Sequence, residues 1–166
     1  MLVEHEYERA GALQYLAAWD VHRAWLFGRV EPRNGIAAFD RLVDQVMRRQ
    51  PYRRARRVFW VVDNGTAHRG ERAARRLAAR HPNLVLVHLP VHASWLNQIE
   101  IYFSILQRKV LTPNDFATLD EVAERLLGFQ RGYEAIAEPF EWTFTRGDLR
   151  QLLKRLDEQA AVDRAA

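Results

Sequence analysis

The chain has no cysteine. That excludes a disulfide framework, a thiolate metal site and a cysteine nucleophile, and it fits a reducing compartment. No apolar run approaches the roughly 18 residues that a membrane-crossing helix needs. The first residues, Met1-Leu2-Val3-Glu4-His5-Glu6-Tyr7-Glu8, are acidic and lack the apolar centre of a secretory signal. A cytoplasmic protein without membrane contact is therefore the expectation. There is no glycine-rich phosphate loop, no His-Glu-x-x-His helix and no Gly-x-Ser-x-Gly elbow. The six histidines are not spaced as a histidine-based metal site.

What is present is a globular composition. Of 166 residues, 48% are hydrophobic and 28% charged, enough for one domain with a real core. No repeat, low-complexity tract or linker interrupts it, so residues 1–166 read as a single domain. The net charge is +4, and arginine supplies nearly all the positive charge. A basic domain suits phosphate-rich partners, although arginine-rich composition also follows from GC-rich coding.

The chain is organised around Val58-Phe59-Trp60-Val61-Val62-Asp63-Asn64-Gly65. Five large apolar residues, rich in β-branched and aromatic types, predict a strand buried on both faces. The turn signal Asp63-Asn64-Gly65 stops it, and a helical stretch follows over about 67–80. A carboxylate where a buried strand meets a helix points into the crevice in which α/β sheets bind ligands; a turn-forming Asp is the plainer reading. Leu84 to Leu89 predicts a second strand, parallel to the first through a right-handed crossover.

Earlier in the chain, Leu13 to Ala18 and Ala24 to Val30 predict an antiparallel hairpin with its turn near Asp20 to Arg23. Residues 36–49 have the helical apolar spacing, and Gln50-Pro51 ends that helix. Arg48, Arg49, Arg53, Arg54, Arg56 and Arg57 form a basic cluster before the central strand, either a solvated rim or a contact for backbone phosphates. After the second strand, Ser94 is placed to cap a helix from about Trp95 to Lys109. Ile99, Phe103, Leu106 and Val110 would face the core, while Asn97, Glu100, Ser104 and Gln107 form a polar stripe. Thr118-Leu119-Asp120-Glu121 is a capping box opening a further helix. Thr145-Arg146-Gly147-Asp148 starts a last one.

The remaining chemistry is a pair of carboxylates, Asp63 at a strand end and Glu100 on a helix one strand later. If the elements pack as read, both converge at one end of the sheet. Hard cations such as Mg²⁺ are held by few carboxylates, with waters and substrate phosphates completing the shell. Two such ions about 3.5–4 Å apart serve phosphodiester chemistry without a covalent enzyme intermediate.

Three blocks, Asp63-Asn64-Gly65-Thr66-Ala67-His68, Val91-His92-Ala93-Ser94-Trp95-Leu96-Asn97-Gln98-Ile99-Glu100 and Gln107-Arg108-Lys109-Val110-Leu111-Thr112-Pro113-Asn114-Asp115-Phe116, closely resemble the insertion-sequence transposases of the mariner superfamily. Pro139-Phe140-Glu141-Trp142-Thr143-Phe144 is similar to the same family. The resemblance implies an RNase H-like α/β fold, a mixed sheet flanked by helices, and a DDE-type active site. It places the second acidic residue at Asp63 and the third at Glu100, with Asn64 and His68 flanking the second. Asn97, on the polar stripe with Glu100, is a candidate to hydrogen-bond near the metal site. It implies Mg²⁺ or Mn²⁺ as cofactor and DNA, as transposon ends and target, as partner. Arg53, Arg54, Arg56, Arg108 and Lys109 are the candidate DNA contacts.

In that family the first Asp ends a strand preceding the hairpin, and no such apolar run precedes residue 11 here. Asp20 sits at the hairpin tip, and Glu4, Glu6 and Glu8 lie on a segment too polar for a central strand. The expectation is a catalytic domain incomplete at its N-terminus and lacking the central strand, with little activity as this chain alone. Three readings stay open: an enzyme, a non-catalytic remnant that binds DNA or a sister transposase, and a half-enzyme completed by an upstream transposase polypeptide or working as a homodimer.

Overall fold

A computed structural model describes residues 11–90, 96–112, 115–141, 143, 145–148, 150–151 and 154–155. Ser94 and Trp95, the expected start of the third helix, and Glu4, Glu6 and Glu8 lie outside the described residues.

The expected hairpin is formed by β1 (Gln14–Asp20) and β2 (Trp25–Glu31), with Gln14 opposite Glu31 and Asp20 opposite Trp25. Its turn closes with Ala24 N–H donating to the Asp20 carbonyl at 2.9 Å. Helix α1 (Ile36–Met47) follows, then a 3₁₀ turn at Tyr52–Arg54 and strand β3 (Val58–Val62). Helix α2 (Gly70–Arg80) crosses over to β4 (Leu84–His88), which pairs with β3 in parallel, Val58 opposite Leu84 and Val62 opposite His88. Helix α3 (Ile99–Leu106) runs on into a π turn at Gln107–Leu111, and α4 is Leu119–Glu134. The capping box is present: Thr118 Oγ1 accepts from Glu121 N–H at 3.2 Å. The fold is mixed α/β and RNase H-like in arrangement, but among the described residues its strands form two separate pairs, β1–β2 and β3–β4.

Alternation along β1 sorts its side chains between two cores. Leu16 and Ala18 pack with Phe27 against α1, in the same cluster as Leu42, Val46, Trp60 and Leu77. Tyr15, Ala17 and Trp19 point the other way, toward Tyr102, Leu106 and Leu126 of α3 and α4. The hairpin is thus sandwiched between helices, and α1 lies beneath both strand pairs.

One expectation fails here. The β3 strand is not buried on both faces: Trp60 and Val62 are buried, but Phe59 and Val61 are 61% and 48% exposed. The run has no polar residue to mark an outer face, so type alone hides the alternation that the pleat imposes. Helices α1 and α2 cover one face; nothing among the described residues covers Phe59 and Val61.

Two ion-pair groups anchor α1. Asp40 accepts from Arg76 and Arg80, and Asp44 from Arg80 and His81, which fastens α1 to α2. Glu31, only 4% exposed, accepts from Arg29 Nε at 2.7 Å and Arg41 Nε at 2.9 Å. The Arg41 hydrogen bonds outweigh burial and, with Arg29, pull the Glu31 carboxyl from 4.5 down to about 2. A carboxyl lowered on folding stabilises the fold above its unfolded value and loses that contribution as pH falls toward its folded one. Glu31→Gln should therefore cost about 1–3 kcal/mol at neutral pH and flatten the acid limb of a urea-stability profile between about pH 4.5 and 2.

Candidate active site

Asp63 follows the last residue of β3, and its side chain is 50% exposed. Its Oδ1 accepts from Gly65 N–H at 3.0 Å and lies 2.6 Å from His68 Nε2. His68 Nδ1 is buried without a partner, and the ring packs against Phe39 at 4.6 Å. A proton on Nε2 suits both facts: it is donated to Asp63, and the apolar side faces only a lone pair. Gly65 allows this closeness, since a Cβ there would lie 3.0 Å from the His68 ring and 3.1 Å from Asp63 Oδ1.

The loop is also stitched to β4. Asn64 Nδ2 donates to the Leu89 carbonyl at 2.9 Å, and His88 Nε2 donates to the His68 carbonyl at 2.8 Å. Partial burial works against ionisation of Asp63, but the Gly65 and His68 hydrogen bonds prevail and hold its carboxyl below the usual range. Its Oδ2 has no partner among the described residues, so Asp63 is held by one oxygen and offers the other.

Glu100 is the second residue of α3, where helix N–H groups favour a carboxylate. Its N–H donates to the Asn97 carbonyl at 2.9 Å, so Asn97 helps start the helix. The Glu100 side chain has no hydrogen bond or ion pair among the described residues. Its pKa is raised, first by partial burial and then by the negative charge of Asp63. The two acids thus sense one another, and both line a cleft of about 1120 Å³ between β1 and β3. Asn97 and His68 line it as well.

The arginines lie away from the two acids, although Arg54 lines the same cleft. Arg53, Arg54 and Arg56 lie in and after the 3₁₀ turn, at the start of β3 rather than at its Asp63 end. Five strand residues put roughly 17 Å between those ends. All three are exposed and without ion pairs. Arg108 and Lys109 sit exposed in the π turn, about 12 Å of helical rise beyond Glu100. Asp20 does not join the acids: it accepts from Tyr52 Oη at 2.5 Å and from His22 and Arg23 N–H.

As a donor set, two carboxylates with free oxygens suit a hard divalent cation, which needs only one or two from protein. No group of three His, Asp or Glu able to hold a metal exists among the described residues. Sequence reasoning missed His88, whose signal was its place at the end of β4, in register with Val62.

A family model described as DDE superfamily endonuclease matches residues 2–123. No curated protein and no solved structure matches the chain.

Proposed function

The chain belongs to the DDE superfamily of endonucleases, and from that premise we propose that it is the catalytic region of an insertion-sequence transposase of the mariner kind. Its substrate would be DNA, cut at the transposon ends and joined through the freed 3′-hydroxyl to target DNA. Asp63, through Oδ2, and Glu100 would hold Mg²⁺ or Mn²⁺. Such ions, when bound, activate the attacking oxygen and offset charge on the leaving one. Gly65 and His68 fix the Asp63 carboxylate, and Asn64 and His88 hold its loop to β4, so the acid is oriented before any ligand arrives. Asn97 sets the start of the helix that carries Glu100. The first acidic residue of the DDE set would come from outside the described residues.

The observation that carries this reading is that both acids line one cleft, Asp63 with Oδ2 unpartnered and Glu100 without a hydrogen bond or ion pair among the described residues. Calorimetric titration with Mn²⁺ tests it. One weak site is expected, lost in Glu100→Gln. A wild-type chain that takes up no Mn²⁺ would refute the assignment.

The unpaired arginines before β3 favour a second reading, in which the chain binds DNA without cutting it. Binding would then weaken steeply with salt, at about 0.9 in the log–log slope per phosphate contacted. The triple variant Arg53→Ala/Arg54→Ala/Arg56→Ala should reduce that slope by up to about 3. An unchanged slope in a fluorescence-anisotropy series would remove these residues from the DNA contact.

A further inference from the structure

We infer that the end of the molecule away from the two acids carries a site for single-stranded DNA, in which Trp25 stacks an unpaired base while Arg53 and Arg54 hold the adjoining phosphates. This rests on the reading that the chain binds DNA, and it names the form of DNA and the residue that selects it.

Alternation along β2 puts Trp25 and Phe27 on one face. Phe27 is buried in the core beneath α1, but α1 ends at Met47, and Trp25 at the start of the strand stays 45% exposed. Tyr52 stands nearly perpendicular to both rings, its centroid 5.7 Å from that of Phe27 and 6.3 Å from that of Trp25. Tyr52 also opens the 3₁₀ turn whose next residues are Arg53 and Arg54. The exposed indole and these arginines therefore share one patch. Its frame is fixed, because Tyr52 Oη donates to Asp20, the residue that pairs with Trp25 across the hairpin.

The patch is positive. Arg49, Arg53, Arg54, Arg56 and Arg57 are exposed and have no ion pair among the described residues. Asp20, the acid that touches the patch, has a side chain only 9% exposed and already accepts from Tyr52 Oη, from the His22 and Arg23 N–H groups and from the Arg23 guanidinium. Arg23 lies over the Trp25 ring at 5.8 Å and Arg49 over the Phe27 ring at 5.4 Å. A guanidinium already packed on a ring has less freedom left to lose when it meets a phosphate.

Charge alone would suit any polyanion, and the tryptophan narrows the choice. A partly bare indole gains most from a second flat π-face, and one base stacked on an aromatic ring is worth roughly five- to 150-fold in affinity. Bases in a duplex stack on each other, whereas an unpaired strand exposes them. An acidic peptide would match the charge and leave the indole unused. The length of β3 puts roughly 17 Å between this patch and Asp63, so the patch anchors DNA without touching the reacting atoms.

Fluorescence anisotropy with the full chain, without metal, tests this. The probes are a labelled oligothymidylate of about 12 nucleotides, an abasic strand with the same phosphates, and a blunt duplex. The wild-type chain should bind the thymidylate at least about fivefold more tightly than the abasic strand. Trp25→Ala should erase that preference and leave abasic-strand and duplex binding unchanged, which also shows that the variant is folded. If Trp25→Ala does not fold, Trp25→Leu keeps the apolar bulk without the π-face and should give the same result. Trp25→Phe should retain most of the preference, and Arg53→Ala/Arg54→Ala should weaken both strands alike. Equal wild-type binding of thymidylate and abasic strand, a preference that survives the loss of the indole, or displacement of the thymidylate by a polyglutamate peptide as readily as by unlabelled strand would each overturn the site. Salt-sensitive duplex binding without any base preference would overturn the site and leave the DNA-binding reading standing, whereas no binding to any of the three probes would overturn both.

Discussion

Asparagine in place of Asp63 is expected to lower the pKa of Glu100 and to weaken Mn²⁺ binding by at least about tenfold. The two effects share a cause. Glu100 is raised by its own burial and by the Asp63 charge; removing that charge leaves only the burial, so its titration midpoint moves down. The same charge is half of the pair proposed to hold the cation. Asparagine keeps an oxygen to accept from Gly65 N–H and the Nε2–H of His68, so the loop should retain its shape. Since the cation competes with the proton, wild-type affinity should fall as pH drops through the raised midpoint of Glu100. Carbon-detected NMR of the Glu100 carboxyl and calorimetry with Mn²⁺ measure the two quantities separately. An unmoved Glu100 titration would mean that the acids do not face each other.

Tyr102→Ala should be the most damaging single change to stability, at about 3–5 kcal/mol in urea denaturation. Tyr102 is fully buried on α3, two residues after Glu100. Its ring contacts Tyr15, Phe103, Phe129 and Tyr133 at centroid distances of 5.1–6.4 Å. Truncation would leave a void where β1, α3 and α4 meet. A domain with some 5–15 kcal/mol in total has little margin for such a loss. Because α3 also carries Glu100, surviving protein should bind Mn²⁺ more weakly. Tyr102→Phe separates packing from polarity: it removes only the 3.1 Å contact between the Tyr102 and Tyr15 hydroxyls, and Tyr15 keeps Gln130 as acceptor. About 0.5–1.5 kcal/mol is expected. Equal losses in the two variants would contradict the packing argument.

That Asp63 and Glu100 come to one cleft was legible because each occupies a place with a sequence signature. Asp63 ends a β-branched run at a turn, and Glu100 interrupts an apolar helix. The hairpin, the parallel pair and the Thr118 cap were legible for the same reason, since short-range spacing and turn chemistry determine them. Tyr102 was not read as core, although it falls three residues after Ile99 and four before Leu106, because the neighbouring Phe103 fits the same face and the burial of Tyr102 depends on α4 arriving from far along the chain. The exposed side of Phe59 and Val61 was hidden too: residue type reports a preference for burial, while actual cover depends on which other elements are present. The partners of His68 and His88 are set by the packing of β4 beside the loop, which no local pattern records.

The placement of β1 between two cores limits how this region can change over generations. A bulkier residue at position 16 presses on α1, and one at position 17 presses on α3 and α4. Neither layer can be remodelled while the other is left alone, because the ribbon transmits each adjustment to its opposite side. Tolerated substitutions in residues 15–19 should therefore arise as matched pairs across the ribbon, and single size changes should be rare.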